Sequence, residues 1–400
     1  MWYYLHESIA AAIIVLKTQQ QLREDALAPV SFGAAPRPVG LDIGTDYIRA
    51  AQVKPSGSGN ALSAYGLVAM PFGAVVEGEV VDPEAVSLAI KDLWKRGGFH
   101  NKTVAVGVAN QKVVVRLIDL PFMERAELAG AIQYQAQDYI PIPVEEAIID
   151  FQIIGDYMTP ADEHMMEVLL VAAQRDMVSN VVAAVEGAGL RLAQVDVTAF
   201  ALVRALFGTT PSWLAEETEN AGDAVGVVHV SSGLTNIAVV ERGLPRFTRV
   251  SSLAANQFTQ SIANVLNLTF DEAEELKARV GLPSIDAPNE GTAGIDPQVV
   301  QTAQEALERE ANKFIAEVRR SFDYYLTQAT NVHGIGRIYL IGTGAELRNL
   351  PTYLERGLQT QVVLGDALQG LQMGGSVEQA VLADRMGCAP AIGLALGGVV

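Results

Sequence analysis

The chain has 400 residues, 50% of them hydrophobic and 18% charged, which excludes a disordered or coiled-coil protein and, at ~100–200 residues per domain, implies two or three globular domains. Its 28 Lys and Arg against 46 Asp and Glu leave a net charge of -18, so a nucleic-acid backbone is repelled by the overall field. The single cysteine, Cys388, excludes an internal disulfide, and His6, His100, His164, His229 and His333 are too scattered for a local metal motif, so a reducing cytoplasm is the expected compartment.

Residues 1–38 read as an amino-terminal extension, an appended helix that ends in the loop-like SFGAAPRP. Its apolar run, Ile9 to Leu16, is far short of the ~20 residues a membrane span needs. As a secretory signal it is poor: no Lys or Arg precedes the run, and polar residues separate it from Ala26-Leu27-Ala28. Trp2, Tyr3 and Tyr4 offer something to a membrane surface, but the basic face that strengthens such binding is missing, which favours a helix packed on its own protein or an upstream start site.

A first domain is expected over 39–220. VGLDIGTDYIRAAQV reads as strand, turn at Gly44-Thr45, strand; the glycine motifs of P-loops and dinucleotide folds lead into a helix instead. A helix around Glu84 to Arg96, stopped by Gly97-Gly98, precedes strands TVAVGV and KVVVRLIDL. Pro121 is expected to open a helix with Leu128, Ala131, Ile132, Gln135 and Tyr139 on one face, ending at the extended Pro141 to Pro143. An inserted subdomain over about 114–198 holds that helix, strands AIIDFQII and EVLLVAA, a helix with Val178, Val181, Val182 and Val185, and strand QVDV.

A second domain is expected over 221–400. VGVVHVSSGLTNIAVVERGLP repeats strand, tight turn, strand, and His229 takes the place of Asp42 nearly half the chain later. Two like domains facing each other across a cleft explain that spacing. A subdomain over about 251–330 carries a helix with Phe258, Ile262, Val265 and Leu266, the helical DEAEELKARVG, and a long helix with Leu307, Ala311, Phe314, Val318 and Phe322. RIYLIGTGAELRNLPTYLERGL is strand, Gly-x-Gly turn, helix, so its amides can face a phosphate or ribose. The small-residue run APAIGLALGG follows.

Asp-x-Gly-Thr in a hairpin turn can wrap a phosphate, since glycine admits the backbone, hydroxyl and amides donate to oxygens, and the carboxylate holds a metal-bound water. Alone it is equally a strand end with a satisfied turn. Three glycine turns in the order hairpin, hairpin, strand-to-helix resemble the actin, Hsp70 and sugar-kinase superfamily, which clamps ATP between two domains. The resemblance narrows in LDIGTDYIRA, in RLIDLPFMERAELAGAIQYQAQDYIPIPVEEAIIDFQIIG, in MMEVLLVAAQRDMVSNVVAAVEGAGLRLAQVDV, and later in GLTNIAVVERG, DEAEELKARVG, EVRRSFDYYL and GTGAELRNLPTYLE. From about Val39 onward the chain is similar to the PilM family of type IV pilus assembly proteins.

That resemblance implies an actin-like, two-domain α/β fold with an FtsA-like inserted subdomain, in a cytoplasmic protein held at the inner face of the membrane through its partner. It implies a scaffold that binds ATP or ADP, captures the cytoplasmic tail of a PilN-like membrane protein and connects the inner-membrane complex to the pilus motor. By position, Asp42, Gly44 and Thr45 form the first phosphate turn, with magnesium held by Asp42 through water; His229, Ser231, Ser232 and Gly233 form the second. Gly342, Thr343 and Gly344 lie beneath the nucleoside, while Glu274 and Lys277 reach its ribose and base.

The departures fall where catalysis is decided. The family's second turn carries Asp-x-Gly, whereas VVHVSSG has His229 and Ser231. Imidazole replaces a carboxylate poorly at magnesium, which prefers hard oxygen donors. Magnesium is therefore expected to be weakly held and hydrolysis weak or absent. An FtsA-like polymer would announce a basic amphipathic helix near ALGGVV, which is not there; a sugar-kinase-like phosphotransferase would need a carboxylate base where His229 stands. For the tail, Leu128, Ile132, Gln135 and Tyr139 with the extended Ile140 to Val144 suggest an apolar groove for an extended peptide, the alternative being ordinary core packing. Glu145-Glu146 and Arg319-Arg320 fit solvated helix positions, and Cys388 a buried small residue.

Overall fold

Five strands in one order, three antiparallel and two parallel, occur twice in the computed structural model, which describes residues 37–57, 59–208, 223–241, 243–284, 290–329 and 332–397. The extension expected over 1–38 lies outside them except for its last two residues. Strand β1 (Val39–Ile43) turns into β2 (Tyr47–Ser56) and then β3 (Gly59–Ala69). The short pair β4 (Val75–Val76) and β5 (Glu79–Val80) leads to α1 (Pro83–Gly97). That helix starts where Asp82 accepts from the Glu84 and Ala85 amides and stops at left-handed Gly98, the Pro-first, Gly-last asymmetry of helices.

After β6 (Thr103–Val108) the chain makes a separate three-stranded sheet from β7 (Val113–Pro121), β8 (Ala147–Met158) and β9 (His164–Gln174), with α2 (Arg125–Ala136) against it. It then returns through α3 (Arg175–Gly187), β10 (Arg191–Val197) and α4 (Thr198–Phe207). The second half runs β11 (Asp223–Val230), β12 (Thr235–Glu241), β13 (Leu244–Ser251), α5 (Ala255–Leu266), α6 (Phe270–Val280) and α7 (Pro297–Gln328). It continues with β14 (Gly334–Ile341), α8 (Leu350–Leu358), β15 (Gln361–Leu364), β16 (Leu371–Gln372), α9 (Gly375–Leu382) and α10 (Ala389–Leu396).

The first sheet has the order β10-β6-β1-β2-β3-β16 and the second β13-β12-β11-β14-β15. In each, a hairpin and a third antiparallel strand lie on one side of the leading strand, and two parallel strands on the other. The parallel strands are nearly continuous apolar runs because helices cover them.

Three expectations are corrected. Pro121 ends β7, paired with Met165, and α2 starts only at Arg125 and stops at Ala136, so Tyr139 is not on the helix. A proline tolerates the end of an edge strand as readily as a helix start. The insertion is Val113 to Gln174, shorter than 114–198, because β10 pairs with β6 in the first sheet. Nor does the second domain keep everything after 221: β16 pairs with β3, and α10 packs on β1, β2, β6 and α4.

That last contact is close. All eight residues of α10 are buried, and a Cβ at Gly393 would lie 1.8 Å from the Ala201 carbonyl oxygen of α4. One at Gly40 of β1 would lie 2.0 Å from the Ala391 carbonyl oxygen. The small-residue run is thus a packing surface at which backbones touch.

In the insertion, α2 lays Leu128, Ile132 and Ala136 on one face of the sheet with Ile118, Phe151, Met166 and Leu170. The opposite face joins the first domain's core through Val115, Leu169, Val171 and Ala173. Leu128, Ile132 and Ile140 are therefore interior residues and cannot wall a peptide groove. Their spacing marks a covered helix face. Gln135 is half-buried and Tyr139 exposed.

Candidate functional site

The two hairpin turns face each other. Asp42, Gly44, Thr45, His229, Ser231, Ser232 and Thr343 line one cleft, and a Cβ at Gly233 would meet Thr45 Oγ1 at 2.3 Å, so the turns touch at their tips. Gly342, at φ 98°, and Gly344 press against Val230; side chains there would push β14 away from β11. The third turn thereby closes the cleft floor.

Each turn is built by its own local bonds. The Gly44 amide donates to the Tyr47 carbonyl at 3.1 Å and the Ser231 amide to that of Leu234 at 2.9 Å. The Ser231 hydroxyl also donates to the Leu234 carbonyl, at 2.8 Å. This explains how serine is accepted where glycine was expected: its side chain closes its own turn.

Glu274 and Lys277 do not line this cleft. Lys277 Nζ donates to Glu274 Oε2 at 2.7 Å and to Thr259 Oγ1 of α5 at 2.9 Å, and Thr259 in turn donates to Glu274. The pair and Thr259 bond one another within the α5–α6 layer.

Beneath the first turn lies a charged cluster that local sequence reading does not reveal. Arg49 of β2 stands opposite Asp42 in the β1–β2 register and is buried. Its Nε donates to Asp384 Oδ2 at 2.6 Å and its Nη2 to Oδ1 at 3.1 Å, while Tyr65 also donates to Asp384. Burial works against the guanidinium's charge, but the Asp384 carboxylate more than offsets it and raises the Arg49 pKa. Two residues on, the Met386 carbonyl accepts from the Gly342 amide at 3.0 Å. The Asp384–Gly387 turn thus joins the first turn to the third.

Burial pushes the Asp42 carboxyl up to about 6, with Arg49 opposing and Asp384 adding to the rise. Burial, and secondarily Arg49, pushes His229 down to about 3. Its Nδ1 sits 3.4 Å from the Asn236 amide, across the strand pair. At neutral pH His229 is therefore an uncharged imidazole. A histidine whose folded pKa lies below its unfolded 6.5 contributes stability that is present above pH 6.5 and lost as pH falls towards 3, because the unfolded chain binds more protons there. His229→Gln should consequently gain on the wild type by on the order of 2 kcal/mol on going from pH 8 to pH 5. Urea denaturation at the two pH values checks this; parallel losses in both proteins would contradict it.

Magnesium does not fit these residues well. The cleft's carboxylates, Asp42 and Asp46, both belong to the first turn, and the second offers His229, Ser231 and Ser232. Among the described residues no group of three or more His, Cys, Asp or Glu is placed to hold a metal ion. The expectation that Asp42 carries magnesium meets a buried carboxyl already facing an arginine.

Comparison with known proteins follows the same outline. The model of a family described as type IV pilus assembly protein PilM matches residues 40–399. A solved chain from a "PilM-PilN type IV pilus biogenesis complex" superposes with a TM-score of 0.74 at 26% identity, covering 91% of this chain and 99% of that one. Cell division protein FtsA of Escherichia coli K12 is 25% identical over 369 residues, spanning 82% of this chain and 84% of its own length. FtsA of Pseudomonas aeruginosa is 24% identical over 314 residues, 73% and 72% of the two chains.

Proposed function

Because this chain belongs to the family of type IV pilus assembly protein PilM, and has the actin-like two-domain α/β fold, we propose that it is a nucleotide-binding scaffold of the pilus inner-membrane complex. It captures the cytoplasmic tail of a PilN-like membrane protein and hydrolyses ATP little or not at all. The observation that carries this is the likeness to the PilM–PilN complex over 91% of the chain. No described helix is long and apolar enough to cross a membrane, and on this reading the chain sits at the inner face of the membrane through its partner.

Three features support the nucleotide part: the apposed turns at Asp42 and His229, the Gly342–Gly344 floor, and the absence from the second turn of a carboxylate to act as base. His229, which burial lowers to about 3, is too weak a base to substitute for it. Turnover of ATP is expected to stay below about one per second, measured by phosphate release; faster steady hydrolysis would count against the scaffold reading.

For the tail we place the site away from α2. A cavity of about 530 Å³ lies beside the contact of β7 with β13 and is lined by Val113, Val115, Arg116, Thr248, Val250 and Tyr324. Both strands are sheet edges, so each has backbone groups without a strand partner on one side. An extended peptide adds main-chain bonds to such an edge and finds side-chain pockets beside it. Arg246 of β13 braces the gap through Glu167 of β9 at 2.7 Å. Val250→Arg should weaken binding of the purified PilN-like tail by at least about tenfold in calorimetric titration; an unchanged affinity would move the site elsewhere.

A further inference from the structure

We infer that Arg49 supplies the positive charge that a metal ion would otherwise bring to this cleft, so that the nucleotide is bound in its magnesium-free form. The inference rests on the nucleotide reading above and specifies which form of the nucleotide the site takes.

A phosphate entering between the turns needs its charge compensated. In an oxygen-rich site a hydrated magnesium ion does this, held by carboxylates on both sides. Here the second side has the imidazole of His229 and the hydroxyls of Ser231 and Ser232. The first side has Asp42 with Arg49 directly opposite it. A divalent ion at Asp42 would stand near a guanidinium that does not lose its proton, and the two cations repel.

Arg49, in contrast, is suited to an anion. It lines the cleft and is fixed in place by the Asp384 carboxylate, whose two oxygens take Nε and one Nη2 bond. Its remaining N–H groups are free of Asp384, and a planar guanidinium pairs with phosphate oxygens through just such parallel donors. Gly387 makes this position possible, since a Cβ there would lie 2.5 Å from Arg49 Nη2. The donor is thus oriented by Asp384, 335 residues away in the sequence, and needs no ion from solution.

The test is titration of the whole protein with the fluorescent nucleotides mant-ADP and mant-ATP, in excess EDTA and in excess magnesium. Affinity in EDTA is expected to equal that in magnesium within about threefold, or to exceed it, because magnesium sequesters the free nucleotide. A loss of about tenfold or more in EDTA overturns the inference and leaves the nucleotide reading intact. Absence of binding under both conditions overturns the nucleotide reading and this inference with it. The double variant Arg49→Met, Asp384→Asn removes both charges, and circular dichroism establishes that it folds. It should bind mant-ADP at least about tenfold more weakly in EDTA; wild-type affinity there would show that Arg49 is not the compensating group.

Discussion

Replacing Asp384 by alanine is expected to cost about 3–5 kcal/mol of folding stability, the usual penalty for leaving a buried charge without its partner. Arg49 has few other places to put its charge: its side chain is 9% exposed and that of Asp384 10%, and the guanidinium cannot neutralise itself. The Tyr65 hydroxyl loses its acceptor in the same substitution. Urea denaturation should show the midpoint falling while the slope holds. Adding Arg49→Met should return most of the loss, because two apolar or neutral residues leave no orphaned charge. If Asp384→Ala unfolds at the wild-type midpoint, the cluster is more hydrated than its burial indicates.

Gly393→Val should be at least as damaging. Its Cβ would fall 1.8 Å from the Ala201 carbonyl oxygen, where α10 lies fully buried between α4 and the first sheet. Neither neighbour is a flexible side chain, so one helix has to move. Overpacking of a well-filled core costs about 1–3 kcal/mol and occasionally more, and a backbone collision belongs at or above the upper end. The expected result is a loss of about 3 kcal/mol or failure to accumulate soluble protein. Gly130→Ala is the matched control. That glycine lies on the exposed side of α2 with no atom within 4 Å of an added Cβ, and the change should stabilise by about 0.5–1 kcal/mol through helix propensity. Equal midpoints for the two variants would mean that α10 is loosely seated.

What could be read beforehand was what repeats or punctuates locally. Asp42-Ile43-Gly44-Thr45 and His229-Val230-Ser231-Ser232 announced themselves because a glycine or a small polar residue interrupts an apolar strand at the same point in both halves. The cleft they form follows from that repeat. Arg49, Tyr65 and Asp384 were not legible, since Asp384 reaches Arg49 across 335 residues and no spacing rule couples a strand arginine to a distant turn. That Leu128 and Ile132 are covered by the chain's own sheet was not legible, because they give the same helical period whether the face is covered by that sheet or by a partner. The insertion ended too late because α3 and β10 carry ordinary helix and strand patterns, which say nothing about which sheet a strand joins. Glu274 and Lys277 share one helical face, but Thr259, which bonds to both, comes from α5.

The return of β16 and α10 to the first domain bears on how the protein is made. On the ribosome most strands of the first sheet emerge early, yet β1 stays uncovered on the side where Gly40 awaits Ala391 until α10 has been translated. The second domain, whose sheet closes with β15, has all its strands before the first has its last helix. Such late, long-range closure exposes apolar strand faces during synthesis and slows the final docking step. A released chain that stops just before Ala389 should therefore hold a protease-resistant second domain beside a first domain that is still open to cleavage, whereas a chain that includes α10 should be resistant in both.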